Sequence, residues 1–141
     1  MIILDTNVLS VLMQRKPDPA VVAWLDRQAP TSVWTTTVTV FEILFGIELL
    51  TESRRRRELE KAFQNAMAED LSSRILPFDQ AAAREAALLA ANRRHQGMSL
   101  DIRDIQIAGI ALVHQATVAT RNVRHFSDTG VDLVNPWDSQ T

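Results

Sequence analysis

Residues 2–7 read IILDTN, three apolar residues followed at once by an acid, a hydroxyl and an amide. The apolar run is too short for a helix and is led by two β-branched side chains, so it reads as a buried strand that stops at Asp5. The same pattern recurs downstream in VWTTT at 33–37, ILPF at 75–78, TVAT at 117–120 and a weaker VDLV at 131–134. Helical spacing fills the intervals. Val8, Leu9, Val11 and Leu12 form a short helix that stops before Lys16-Pro17, and Asp18-Pro19 opens a second with Asp as cap and Pro in the first turn. Residues 38–50, with Val38, Phe41, Leu44, Phe45, Ile47 and Leu49, read as a helix mostly covered by protein. Residues 53–71 read as one further helix with Leu59, Phe63, Ala66, Met67 and Leu71 on a stripe. Asp79 caps a helix reaching His95, whose seven alanines suit close backbone approach to a neighbour. Residues 101–115 are apolar nearly all round (Ile102, Ile105, Ile107, Ile110, Leu112, Val113), as a buried helix would be. The order of strand, helix, helix three times over, then two more strands, predicts an α/β domain with a mainly parallel sheet.

The bulk numbers set the limits. A chain of 141 residues has the size of one domain, taken here as 1–141, and can bury roughly two-thirds of its unfolded surface. Its 46% hydrophobic and 23% charged residues are those of a folded globular protein. The absence of cysteine removes disulfides, thiolate zinc sites and thiol nucleophiles together. No stretch approaches the ~18–20 apolar residues of a membrane span, and the N-terminus lacks the basic segment of a signal peptide. A soluble, cytoplasmic protein is expected. The net charge of −2 gives no basic footprint for a nucleic acid.

In open α/β sheets the functional crevice lies at the carboxyl ends of the strands, so the polar residues that follow each strand are the candidates. Asp5 follows the first strand, Glu42 lies early in the helix after the second, Asp101 and Asp104 open the buried helix, and Arg121 and Asn122 follow the strand at 117–120. Each has an ordinary structural reading. Asp5 or Asn7 can cap the next helix, and Thr39 with Glu42 matches a capping box. Asp101 can cap the buried helix with Asp104 in its first turn, and Asn122 suits a turn. Together they read differently. Clustered carboxylates repel unless a cation lies between them, and an oxygen-only set without His or Cys suits Mg²⁺ or Mn²⁺. Such an ion bridges phosphate oxygens and lowers the pKa of an attacking water. No dinucleotide or Walker loop, serine elbow or HExxH motif competes for the role.

LDTNVLS at 4–10, TTTVTVFEILFGIE at 35–48, DIQIAGIA at 104–111 and VATRNVRHF at 118–126 resemble the PIN-domain ribonucleases. Within them the chain looks like the VapC/FitB-like toxins of bacterial type II toxin–antitoxin modules, as does its ending GVDLVNPW at 130–137. The four blocks occur in the family's order and cover essentially the whole chain. The resemblance implies a three-layer α/β/α fold with a central, mainly parallel sheet of four to five strands, the first and fourth adjoining at the switch point. It implies metal-dependent cleavage of RNA. The family's first three acids fall on Asp5, Glu42 and Asp104, with Asp5 and Asp104 as direct ligands and Glu42 ligating or orienting water. The fourth acidic position falls on Asn122, which departs from the four-acid pattern: an amide brings no charge and cannot act as a base. Asp101 would support the ligands from behind. A homodimer, a cognate antitoxin and, through the antitoxin alone, DNA are the implied protein and nucleic-acid partners.

Around these acids, Thr6 and Thr120 have hydroxyls for a ligand carboxylate or a phosphate, or for ordinary turn bonds. Arg121, Arg124 and His125 stand at the same rim, where Arg side chains can hold RNA phosphates. His125 has no acid partner that spacing would supply. Arg54 to Arg57 opens a helix against its dipole, and a solvated face offset by Glu58 and Glu60 explains it as well as RNA contact does. Trp24, Trp34 and Trp137 suit packing better than base stacking. Two rival functions stand beside the ribonuclease: an Mg²⁺-dependent phosphohydrolase on another substrate, and a catalytically weakened PIN-like binding module. Setting Asp5, Glu42 and Asp104 aside as ion ligands moves the net charge of the rest from −2 to +1, which no longer opposes an RNA partner.

Overall fold

The structure is a computed structural model that describes residues 1–138; the last three residues of the expected 1–141 domain lie outside the described residues. Five short strands, β1 (Ile2–Leu4), β2 (Val33–Thr36), β3 (Ile75–Leu76), β4 (Thr117–Ala119) and β5 (Asp132–Val134), form one sheet in the order β3-β2-β1-β4-β5. Every pairing is parallel, so the mainly parallel sheet read from the sequence is wholly parallel here. The chain winds from β1 outward through β2 to β3, then returns to add β4 on the other side of β1. The crevice predicted by that reversal lies between the carboxyl ends of β1 and β4, where Leu4 pairs with Ala119.

Why three layers form is visible in two adjacent residues. Successive strand side chains point to opposite faces. Ile3 joins one core cluster, with Ile107, Ile110, Val118 and Phe126, while Leu4 joins the other, with Val8, Leu9, Val21, Trp24 and Ile47. Both are fully buried. Helices α1 (Thr6–Leu12), α2 (Pro19–Asp26), α3 (Thr37–Glu48) and α4 (Arg54–Asn65) contribute to the second cluster or pack against it, while α5 (Gln80–His95) and α6 (Ile102–His114) contribute to the first. Among the described residues no helix is long and apolar enough to cross a membrane.

The alanine-rich helix does approach its neighbour closely. A Cβ built on Gly109 of α6 would sit 2.5 Å from the Ala82 carbonyl oxygen of α5. The middle of α6 is buried as expected, at Ile105 and from Ile107 to Ala111, but Ile102 and Val113 near its two ends are exposed.

Three expectations change. The helix at 38–50 is not mostly covered. Its buried stripe is Val38, Thr39, Ile43 and Ile47, while Phe41, Leu44, Phe45 and Leu49 point to solvent. A helix apolar all round has more greasy surface than one small sheet can cover. The single helix over 53–71 stops at Asn65 and widens into a π-turn, Ala66–Asp70, closed by a Leu71 N–H to Ala66 carbonyl bond of 3.0 Å. That wider turn puts Leu71 fully in the core, and left-handed Ser72 and Ser73 then reverse the chain into β3. Finally, β3 ends at Leu76 because Pro77 has no N–H for the ladder.

Candidate active site

The edge formed by β1 and β4 gathers the acids from the first residue onward. Asp5 continues β1, its N–H donating to the Ala119 carbonyl at 3.0 Å, so the sheet itself sets its position. Its carboxylate is 4% exposed and held at both oxygens. The Thr6 N–H donates to Oδ1 at 2.7 Å, and the Thr120 hydroxyl donates to Oδ2 at 2.7 Å with Asn7 Nδ2 at 3.3 Å. Burial raises the Asp5 pKa above the usual carboxylate value, although these donors, Thr120 first, pull against it. Asp5 is therefore both the cap of α1 and a buried acid aimed along the sheet edge.

Thr6 and Thr120 link this acid to the rest. The Thr120 hydroxyl also accepts the Asn122 N–H at 3.0 Å, and the Thr6 hydroxyl donates to Glu42 Oε1 at 2.9 Å. The capping-box reading of Glu42 fails, because the cap of α3 lies three residues earlier: Thr36, not Thr39, is its cap, accepting the Thr39 N–H at 3.1 Å. Glu42 is turned instead toward Thr6 across the crevice, and its Oε2 lies 3.5 Å from Arg103.

Asp104 completes the group from the first turn of α6. Asp101 does cap that helix, accepting the Arg103 and Asp104 N–H groups at 3.0 and 3.4 Å. Asp104 is left free to face the site, where its Oδ2 lies 2.9 Å from His125 Nδ1. Its pKa is pushed up to about 6, chiefly by burial and then by the negative charges of Asp101 and Asp5, with His125 opposing. Among the described residues no three His, Asp or Glu side chains form a ready-made ligand cluster. Mg²⁺ does not require one, since it usually keeps several waters and takes one or two carboxylates. An all-oxygen pair of acids, with the charge of Asp5 felt at Asp104, fits that demand.

Other rim residues sort themselves. Arg121 donates its N–H to Asn7 Oδ1 at 3.2 Å, and its guanidinium lies 4.9 Å over the Trp137 ring. Arg124 is exposed on the short 3₁₀ turn Val123–Phe126, and Asn122 precedes that turn without a side-chain capping bond. Sequence reasoning left His125 without a partner and missed Arg103. His125 has an acid partner after all, Asp104, brought from 21 positions away by the β4–α6 packing. Arg103 bonds Glu42 and lies 5.8 and 6.0 Å from the stacked rings of Phe41 and Phe45. No local pattern marks either. In the Arg54–Arg57 run, Arg54 pairs with Glu58, and Arg56, whose side chain is 17% exposed, with Glu48, Glu52 and Glu60. Trp24 lies in the core, and Trp34 and Trp137 pack partly buried against it.

The PIN domain family model matches residues 2–131. The chain belongs to the PIN domain family. It is 37% identical to the VapC ribonuclease Y4jK of Sinorhizobium fredii over 98% of this chain and 99% of that one. It is 34% identical to the toxin FitB of Neisseria gonorrhoeae over 97% and 99% of the two chains. Among solved structures, that of FitAB bound to an IR36 DNA fragment superposes with a TM-score of 0.88 at 33% identity, covering 100% of this chain and 99% of that one. The PIN fold and its five-stranded sheet follow the expectation drawn from the motif blocks.

Proposed function

We propose that this PIN domain is a metal-dependent endoribonuclease and the toxin of a type II toxin–antitoxin pair. The observation that supports this reading is the nearness of Asp104 to Asp5 at the carboxyl edge of β1 and β4, with Glu42 bonded to the neighbouring Thr6, in a chain 37% identical to a VapC ribonuclease. What a bound Mg²⁺ or Mn²⁺ supplies there is a lowered pKa for the attacking water and charge to offset the transition state. Asp5 and Asp104 would hold the ion. Asp5 is pre-oriented for this by Thr6 and Thr120, so binding costs little side-chain ordering. Asp104, with its pKa near 6, is ionised at neutral pH and has charge to offer. Glu42 faces the same crevice through the Thr6 hydroxyl and orients the attacking water or takes its proton. Asn122 holds a water or a non-bridging phosphate oxygen through its amide. Arg121 and Arg124 at the exposed rim hold flanking RNA phosphates.

The partners follow the same reading. The similarity to FitAB bound to a DNA fragment supports a cognate antitoxin, through which DNA is reached, and the proposed place of action is the cytoplasm. The exposed Phe41, Leu44, Phe45 and Leu49 of α3 supply a surface for a second copy. The test is cleavage of a single-stranded RNA with Mn²⁺, followed for the wild type, Asp5→Ala and Asp104→Ala. Loss of ~10²-fold or more in both variants is expected, since each removes a group needed to assemble the reacting centre. Undiminished cleavage by either variant would sink the proposal, and activity on a generic phosphoester but not RNA would favour the phosphohydrolase.

A further inference from the structure

Arg93 is a charged residue that the proposed chemistry does not use, yet it is 6% exposed near the end of α5. Its guanidinium reaches across to the segment that follows β4. Nε donates to Asp128 Oδ2 at 3.0 Å, and Nη2 donates both to Asp128 Oδ1 and to the His125 carbonyl. These acceptors flank Phe126, whose ring is buried in the core. The 3₁₀ turn that presents Arg124 and His125 is thus gripped on either side of its apolar anchor. Beyond it, the buried Thr129 hydroxyl donates to the Phe126 carbonyl at 2.6 Å and closes the segment. His125 is held at both ends: its carbonyl by Arg93 and its ring by Asp104.

Burying the Arg93 charge is a poor way to add stability, because the water it loses offsets most of its attraction to Asp128, whose side chain stays 31% exposed. An apolar pair would fill the same space. What a guanidinium supplies instead is direction, with planar donors that fix a carboxylate and a carbonyl in one geometry. We propose that Arg93 and Asp128 are positioning residues for the ribonuclease site, clamping the 122–129 segment so that Arg124 and His125 stand at the crevice. This rests on the ribonuclease reading for its consequence, but the clamp itself is measurable without it.

The test uses the full chain, wild type against the doubly apolar Arg93→Met/Asp128→Leu and the charge-keeping Arg93→Lys. Two readouts decide: amide hydrogen exchange across residues 122–129, and kcat/KM for a single-stranded RNA with Mn²⁺. The apolar variant is expected to fold, to exchange faster in that segment while the β1–β4 amides stay protected, and to lose about tenfold or more in kcat/KM. Arg93→Lys keeps the charge but not the fork, and is expected to show the same two changes to a smaller degree. Wild-type exchange and kcat/KM within about twofold in the folded apolar variant would overturn the proposal. If that variant does not fold, Arg93→Lys decides by the same criteria. Absence of RNA cleavage by the wild type would defeat the ribonuclease reading alone, and the exchange comparison would still judge the clamp.

Discussion

Replacing Asp104 by the isosteric amide is expected to stabilise the metal-free protein while abolishing much of its response to metal. Burial and the nearby Asp101 and Asp5 move this carboxyl from 3.8 to about 6. Each pH unit of displacement corresponds to ~1.4 kcal/mol, so the ionised form carries up to ~3 kcal/mol of strain. The side chain keeps 15% exposure and solvent screens part of the field, which leaves ~1–2 kcal/mol as the working figure. The sign follows from proton binding. A carboxyl that holds its proton more tightly when folded stabilises the fold at low pH, and that contribution is lost as pH rises through the folded value. Wild type therefore sheds ~1–2 kcal/mol between about pH 4 and neutrality, and Asp104→Asn, having no charge to acquire, does not. In EDTA near neutral pH the variant is expected to melt ~3–8 °C above wild type, with the gap closing toward about pH 4. Thermal melts followed by circular dichroism across that range give the comparison. Adding Mn²⁺ near neutral pH is expected to raise the wild-type melting temperature by mass action and to move the variant much less. A variant no more stable than wild type near neutral pH, or equally displaced at every pH, would refute the reasoning.

Two further outcomes test the packing and the exposed face. Gly109→Ala drives a methyl group to 2.5 Å from the Ala82 carbonyl, so α5 and α6 must part. A loss of ~1–3 kcal/mol is expected despite better helix propensity, read as a melting temperature several degrees lower. Leu49→Glu places a charge on a side chain that is 70% exposed in the single chain. If α3 packs against a second copy, light scattering should show a shift from the dimer to one 15.8 kDa chain with the melting curve nearly unchanged. A particle of unaltered size would put the second copy elsewhere.

Much of the site was legible because its residues stand directly after strands. Asp5 and Thr120 are readable from IILDT and TVAT alone, since whatever follows a parallel strand emerges at the functional edge. Asp101 was also readable as a cap, and the structure keeps it so. Glu42 was half readable. Its place near the start of α3 was right, but the Thr-rich run TTTVT offered several caps, and only packing selected Thr36. The covered and exposed stripes of α3 were not separable, because both are apolar and periodicity cannot say which faces the sheet.

Local pattern was enough for the alternation of strands and helices, and hence a parallel α/β sheet, because period-two and period-3.6 patterns answer to local backbone geometry. It also determined which acids stand at strand ends and helix starts. Tertiary structure alone decided which of them meet. Placing β4 beside β1 brings Thr120 onto Asp5 across 115 positions, and docking α6 brings His125 onto Asp104 and Arg103 onto Glu42. The raised pKa of Asp104 belongs to the same class. It comes from burial and from charges on other elements, and neither exists until the sheet and helices have closed around it.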